Sequence, residues 1–93
     1  MSTEKLELSP RQESALRVLG ALMGDGWVTG PDLAWLMTDA GCDATAPAAH
    51  AAASFLVNGN LAFQRHGGGR FRYRITPAGR DWLADHKPEG YAS

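Results

Sequence analysis

Residues 70–80 read Arg70-Phe71-Arg72-Tyr73-Arg74-Ile75-Thr76-Pro77-Ala78-Gly79-Arg80. Arginine alternates with a large apolar residue over six positions. That is the period of a strand, so three guanidinium groups fall on one face and Phe71, Tyr73 and Ile75 on the other. The apolar side is expected to be core rather than a platform for stacking bases. The alternation ends at Thr76, whose hydroxyl suits a helix N-cap. Pro77 then fits the first helical position, where its missing N–H costs nothing. The segment predicts an arginine-faced strand that runs straight into a helix.

The same reading applies upstream. Ser9-Pro10-Arg11-Gln12 is a helix start, with Ser9 as N-cap, Pro10 at the first position and Gln12 placed to close a capping box. Leu16, Leu19 and Met23 follow at helical spacing, widened by Ala15, Val18 and Leu22, and Gly24-Asp25-Gly26 stops the helix. Trp27-Val28 is too short to stand alone as a strand and suits an added edge strand. Thr29-Gly30-Pro31-Asp32 opens a second helix through a capping box, with Leu33, Leu36 and Met37 inward and its end near Ala40-Gly41. Thr45 caps a third helix from Ala46 to Asn58, terminated by Gly59. Leu61-Ala62-Phe63-Gln64-Arg65 alternates as a strand, Gly67-Gly68-Gly69 is a flexible tip, and Arg70 to Ile75 returns. A last helix runs from Pro77 to about His86, with Ala78, Trp82 and Leu83 apolar.

At 93 residues the chain is one small domain with a marginal core, for which dimerisation is a common remedy. We read a flexible leader over 1–8, a folded domain over 9–86 and a flexible tail over 87–93. Hydrophobic residues make up 44%, too many for a disordered chain. The single cysteine, Cys42, excludes an internal disulfide and is either a small buried hydrophobe or a reactive thiol. No secretory signal or membrane span is visible, so the expectation is a reduced, soluble, cytoplasmic protein that meets no membrane.

Net charge is only −1, but its distribution is uneven. Residues 1–43 hold three basic and seven acidic groups, residues 44–80 hold five arginines and no acid, and residues 81–93 hold one lysine and three acids. The pattern points to one basic face on a near-neutral protein.

The order helix, short strand, helix, helix, hairpin, helix is mainly α with a small β-hairpin: a winged helix-turn-helix (α-β-α-α-β-β-α). Gly59-Asn60-Leu61 after a helix, the glycine-tipped hairpin and Tyr73-Arg74-Ile75-Thr76-Pro77-Ala78-Gly79-Arg80 resemble the wing and exit helix of MarR-like and PadR-like transcription regulators. The resemblance covers about residues 9–86. It implies a cytoplasmic regulator of double-stranded DNA, whose third helix enters the major groove while the hairpin reaches phosphates or a neighbouring groove. On that reading the wing contributes Arg65, His66, Arg70, Arg72 and Arg74, since guanidinium groups pair with phosphate in forked geometry. The chain lacks the long flanking helices through which those families usually dimerise, so a homodimer stays open.

The third helix is unusual for a base reader. Ala49, Ala52, Ala53 and Leu56 share one face and should pack inward. The opposite face shows Pro47, His50, Ala51, Ser54 and Asn58, of which only His50, Ser54 and Asn58 can hydrogen-bond, and none is basic. Strong readout usually employs Arg, Lys, Asn or Gln. This helix would therefore read DNA shape and thymine methyl groups, or approach the groove closely because alanine is small. Alternatively its alanine-rich face and the wing grip a protein partner, making the chain a small regulator or inhibitor within a larger complex. A third reading is an oligomerisation module anchored by Trp27, Trp35 or Trp82, although tryptophans in so small a domain are usually core.

Catalysis and cofactors find no support. His50, His66, His86 and Cys42 lack zinc-site spacing. Gly67-Gly68-Gly69-Arg70 lacks the ending of a phosphate-binding loop. Ser54 has no evident base, and Asp81 and Asp85 read as a solvated pair on an exposed helix. Arg80, near the start of the last helix, is not expected to be a ligand. The expectation is a non-enzyme with no cofactor and no metal.

Overall fold

The structure is a computed structural model and describes residues 7–22 and 26–86. Most of the expected leader and all of the expected tail lie outside these residues, as do Met23, Gly24 and Asp25. Seven elements follow in chain order: α1 (Pro10–Ala21), β1 (Val28–Thr29), α2 (Gly30–Asp39), α3 (Ala46–Asn58), β2 (Ala62–Gly67), β3 (Arg70–Ile75) and α4 (Pro77–Asp85).

All four helices start in one way. A Ser or Thr N-cap is followed by proline in the first turn, at Ser9-Pro10, Thr29-Gly30-Pro31, Thr45-Ala46-Pro47 and Thr76-Pro77. Each cap hydroxyl accepts the N–H three residues on, from Gln12, Asp32, Ala48 and Gly79 respectively. The proline sits where no backbone donor is needed. The reciprocal half of the capping box forms at Ser9, which donates its N–H to Gln12 Oε1 at 2.9 Å. The box expected at Thr29 is only its forward half.

Helices α2 and α3 end in the same hydrogen-bonded reversal. After α2, Gly41 N–H bonds the Thr38 carbonyl and Cys42 N–H the Met37 carbonyl. After α3, Asn60 N–H bonds Val57 and Leu61 N–H bonds Leu56. This is the Schellman arrangement, which places one residue in the left-handed region. That residue is Gly41 in the first case, and Asn60 at φ 65° in the second. Gly59, expected to terminate α3, has φ −88° and is only the C-cap. Asparagine tolerates the left-handed conformation better than other side chains do.

The three strands form one antiparallel sheet in the order β1-β3-β2. The two-residue Val28–Thr29 strand pairs with β3, so an edge strand does form there, one residue later than Trp27-Val28 suggests. Across the hairpin Ala62 pairs with Ile75, Gln64 with Tyr73 and His66 with Phe71, while Phe63 pairs with Arg74 and Arg65 with Arg72. Gly68 and Gly69, at φ 61° and 76°, make the two-residue turn.

The core lies between the helices and one face of the sheet. Leu16 and Leu19 of α1, Leu33 and Met37 of α2, Leu56 of α3 and Tyr73 of β3 are all but fully buried. Ala49, Ala52 and Ala53 form the inward face of α3 as expected, and their small size lets α1 and α2 approach closely. Cys42 is half-buried and packs against this core, in keeping with a small hydrophobe.

Two contacts join α1 to the region of α4. Arg17 pairs with Glu13 at 2.6 Å and donates to the His86 carbonyl, and Arg80 donates to the Gly20 carbonyl at 3.3 Å. His86 also stacks flat on Trp82, ring centroids 3.8 Å apart.

Three expectations about burial fail. Phe71 is exposed because it stands next to the hairpin tip, paired with exposed His66 and bordering the open space in front of α3. Ala78 is exposed while Gly79 takes the inward position of α4. Trp82 is buried but Trp35 is 66% exposed, since Leu33, Ala34 and Met37 already fill the inward face of α2.

Candidate nucleic-acid interface

The hairpin has two unlike faces. Toward α3 it presents His66, Phe71 and Tyr73. The His66 and Phe71 rings lie 4.6 Å apart between centroids, and Phe71 lies 5.7 Å from His50 of α3. The Tyr73 phenol hydrogen-bonds His50 Nδ1, and the Ser54 side chain also bonds it. Burial raises the Tyr73 pKa above its ordinary value of 10.0, with the Ser54 bond pulling the other way. The phenol therefore stays protonated across physiological pH. The bond ties the exposed imidazole of α3 to the middle strand of the sheet.

On its other face the hairpin carries Phe63, Arg65, Arg72 and Arg74. Arg65 Cζ sits 4.5 Å above the Trp27 ring centroid and Arg74 Cζ 6.0 Å from it. Both guanidinium groups thus turn toward the base of the sheet. Arg70 instead stands at the tip, and Arg72 between the two groups. None of the four is ion-paired with a carboxylate among the described residues.

Between α3 and the wing lies a cleft of about 670 Å³. Its walls are Gly30 and Pro31 at the start of α2, Pro47 and His50 on α3, and Arg70 and Phe71 on the wing, and no acid lines it. Two helix N-termini, each carrying partial positive charge, open beside Arg70.

The residues expected to form the site thus fall into groups. Pro47, His50 and Arg70 line the cleft, and His66 packs against Phe71 at its wing wall. Ser54 is turned to Tyr73. Asn58 is exposed at the far end of α3, close to the Asn60 reversal. Arg65 and Arg74 converge on Trp27. The sequence reading missed Tyr73, which it placed only in the core, and exposed Phe55 on the outward side of α3. The spacing of Tyr73 from His50 carries no local signal, since 23 residues separate them.

No family model matches the chain, and no curated protein matches it. Among solved structures it is similar to a probable transcriptional regulator from Pseudomonas aeruginosa, at TM-score 0.66 and 26% identity, over 84% of this chain and 55% of that one. It is also similar to the complex structure of hsRosR-S1, at TM-score 0.69 and 22% identity, over 84% of this chain and 68% of that one. The chain spans little more than half of the first of these. Four helices and a three-stranded antiparallel sheet match the winged-helix fold of such regulators.

Proposed function

We propose that this winged-helix chain is a DNA-binding transcriptional regulator, with double-stranded DNA seated on α3 and the wing. The observation that carries the reading is the acid-free cleft between α3 and the wing, with Arg70 on one wall and two helix N-termini on the other. A phosphate strand passing there meets Arg70, with His66 alongside, and one that follows the hairpin round to its outer face meets Arg72. Arg65 and Arg74 extend the positive field toward the hairpin base.

Helix α3 enters the major groove with Pro47, Ala51 and the exposed imidazole of His50. This surface is small and holds few hydrogen-bonding groups. It suits readout of groove shape and thymine methyl groups, with few base-edge hydrogen bonds. The likeness of the Tyr73–Arg80 run to MarR-like and PadR-like wings supports the same reading.

The test is a salt titration of binding to a mixed-sequence duplex, followed by fluorescence anisotropy. Each phosphate contact adds about 0.9 to the magnitude of the log–log slope, so Arg70→Ala/Arg72→Ala should lower it by about 2. A slope near zero in the parent chain, or one unchanged in the double variant, refutes the proposal.

A second reading has one observation of its own. Phe55 is exposed beside Pro47, Ala48 and Ala51 on α3, an apolar strip that a protein partner could cover. Phe55→Ala should leave duplex affinity unchanged if the strip serves a protein, and weaken it if α3 lies in the groove.

A further inference from the structure

Two surfaces outside the cleft lining are each electrostatically uncomfortable alone. The first is the base of the outer sheet face. Arg65 stands directly opposite Arg72 in the strand register, a like-charge pair that destabilises a sheet. Arg65 and Arg74 both gather over Trp27, next to Phe63, which is 47% exposed. Charged residues alone would keep an edge strand from aggregating. That role does not call for an aromatic floor beneath them or an exposed Phe63 beside them.

The second is the outer face of α2. Asp32, Trp35 and Asp39 stand at spacings of three and four, which aligns them in one exposed stripe. Asp32 is in the first turn, where the helix dipole favours an acid. Asp39 is in the last turn, where the dipole opposes it, and no basic residue is there to compensate. Neither carboxylate is ion-paired among the described residues. Trp35 between them is the most exposed of the large hydrophobic side chains.

The surfaces are complementary. One carries two acids around a tryptophan, the other two arginines around a tryptophan and a phenylalanine. Seven helical steps separate Asp32 from Asp39, an axial span of about 10 Å. Arg65 and Arg74 are diagonal neighbours on adjacent strands, about 8 Å apart at the backbone, with long side chains to cover the difference.

We propose that a second copy of this chain docks head to tail, the α2 stripe of one copy against the Trp27–Phe63–Arg65–Arg74 base of the next. Each carboxylate meets a guanidinium, and Trp35 covers Phe63. Because the two surfaces differ, the junction is heterologous and leaves one surface of each kind open at the ends, so assembly continues or closes into a ring. The inference does not rest on DNA binding. Its residues are Arg65 and Arg74, whereas the duplex test uses Arg70 and Arg72.

The experiment is sedimentation equilibrium on the full chain at low salt over a wide concentration range. The mass should climb above that of the 10.0 kDa monomer without stopping at two chains, and return to it at about 0.5 M salt, where charges are well screened. Arg65→Ala/Arg74→Ala and Asp32→Asn/Trp35→Ala/Asp39→Asn should each be monomeric alone. Mixed, they should form a 1:1 complex that grows no further, since one intact junction remains. Recovery of that complex also shows that both variants fold. A parent chain that stays monomeric at every concentration overturns the proposal, as does a mixture that forms no complex. A monomeric chain that uses Arg65 and Arg74 to hold oligo-dT, or a peptide of alternating glutamates, overturns it in favour of a foreign partner.

Discussion

Gly79 lies where α4 begins, and its replacement by alanine tests how tightly the wing is joined to the helical body. An added methyl carbon would stand 2.3 Å from the Leu61 carbonyl oxygen, 2.7 Å from Ile75 Cγ1 and 3.2 Å from Leu16 Cδ1. In an exposed helix the same change stabilises by about 1 kcal/mol. Here the nearest atom is backbone and cannot rotate away. The Leu61 carbonyl also accepts the Thr76 N–H at 3.1 Å, and Gly79 N–H itself bonds Thr76 Oγ1 at 2.9 Å. Overpacking costs about 1–3 kcal/mol. Loosening two hydrogen bonds adds about 1 kcal/mol each. Set against the helical gain, the net loss is about 2–4 kcal/mol, which in a domain of this size lowers Tm by about 10–30 °C. Thermal and urea unfolding followed by far-ultraviolet circular dichroism measures it. Gly67→Ala is the control, because an added carbon there meets nothing within 4 Å. If Gly79→Ala is as stable as the parent chain, the close approach of α4 to Leu61 is wrong.

Other outcomes follow from the same geometry. Thr76 Oγ1 accepts from Gly79 N–H and donates to the Asn60 carbonyl at 2.9 Å. Thr76→Ala should therefore cost about 2 kcal/mol, whereas Thr76→Ser should cost under about 1 kcal/mol, read by urea midpoint. Asn60 holds φ 65°, so Asn60→Gly should be neutral or stabilising by up to about 1 kcal/mol and Asn60→Val should cost about 1–2 kcal/mol. Because the folded pKa of Tyr73 is raised, its stabilising share is complete below pH 10.0 and falls away as pH rises toward the folded value. Tyr73→Phe should flatten that alkaline limb in a pH series of urea midpoints. The same variant should weaken duplex binding, since His50 loses the hydrogen-bond partner that holds its ring.

Local chemistry made much of the fold legible. Helix starts need a cap and tolerate a first-turn proline, so Ser9-Pro10 and Thr76-Pro77 announce themselves within a few residues. The alternation of Arg70 to Ile75 likewise declares a strand. Where each strand face ends is not local. Phe71 obeys the period yet is exposed, because it stands next to the open hairpin tip. Trp35 is exposed because neighbours on its own helix already fill the core. For the site, the sequence shows which cations exist, and the fold decides where they point. Arg65 and Arg74 turn to Trp27, a residue more than thirty positions upstream of either. The tie between Tyr73 and His50 is equally invisible to spacing.

That tie makes the molecule a caliper. Tyr73 sits on the middle strand, which pairs with both neighbours, and its phenol is fastened to the helix beside the wing. The two jaws are thus set at one opening in the free chain. Under the proposed DNA-binding role, a duplex whose groove width already matches that opening would be gripped at once, and one that does not would have to be bent or squeezed to fit. Selectivity would then reside in the stiffness of the nucleic acid. Sequences that deform easily, or start with the right width, would be preferred even where no base is touched.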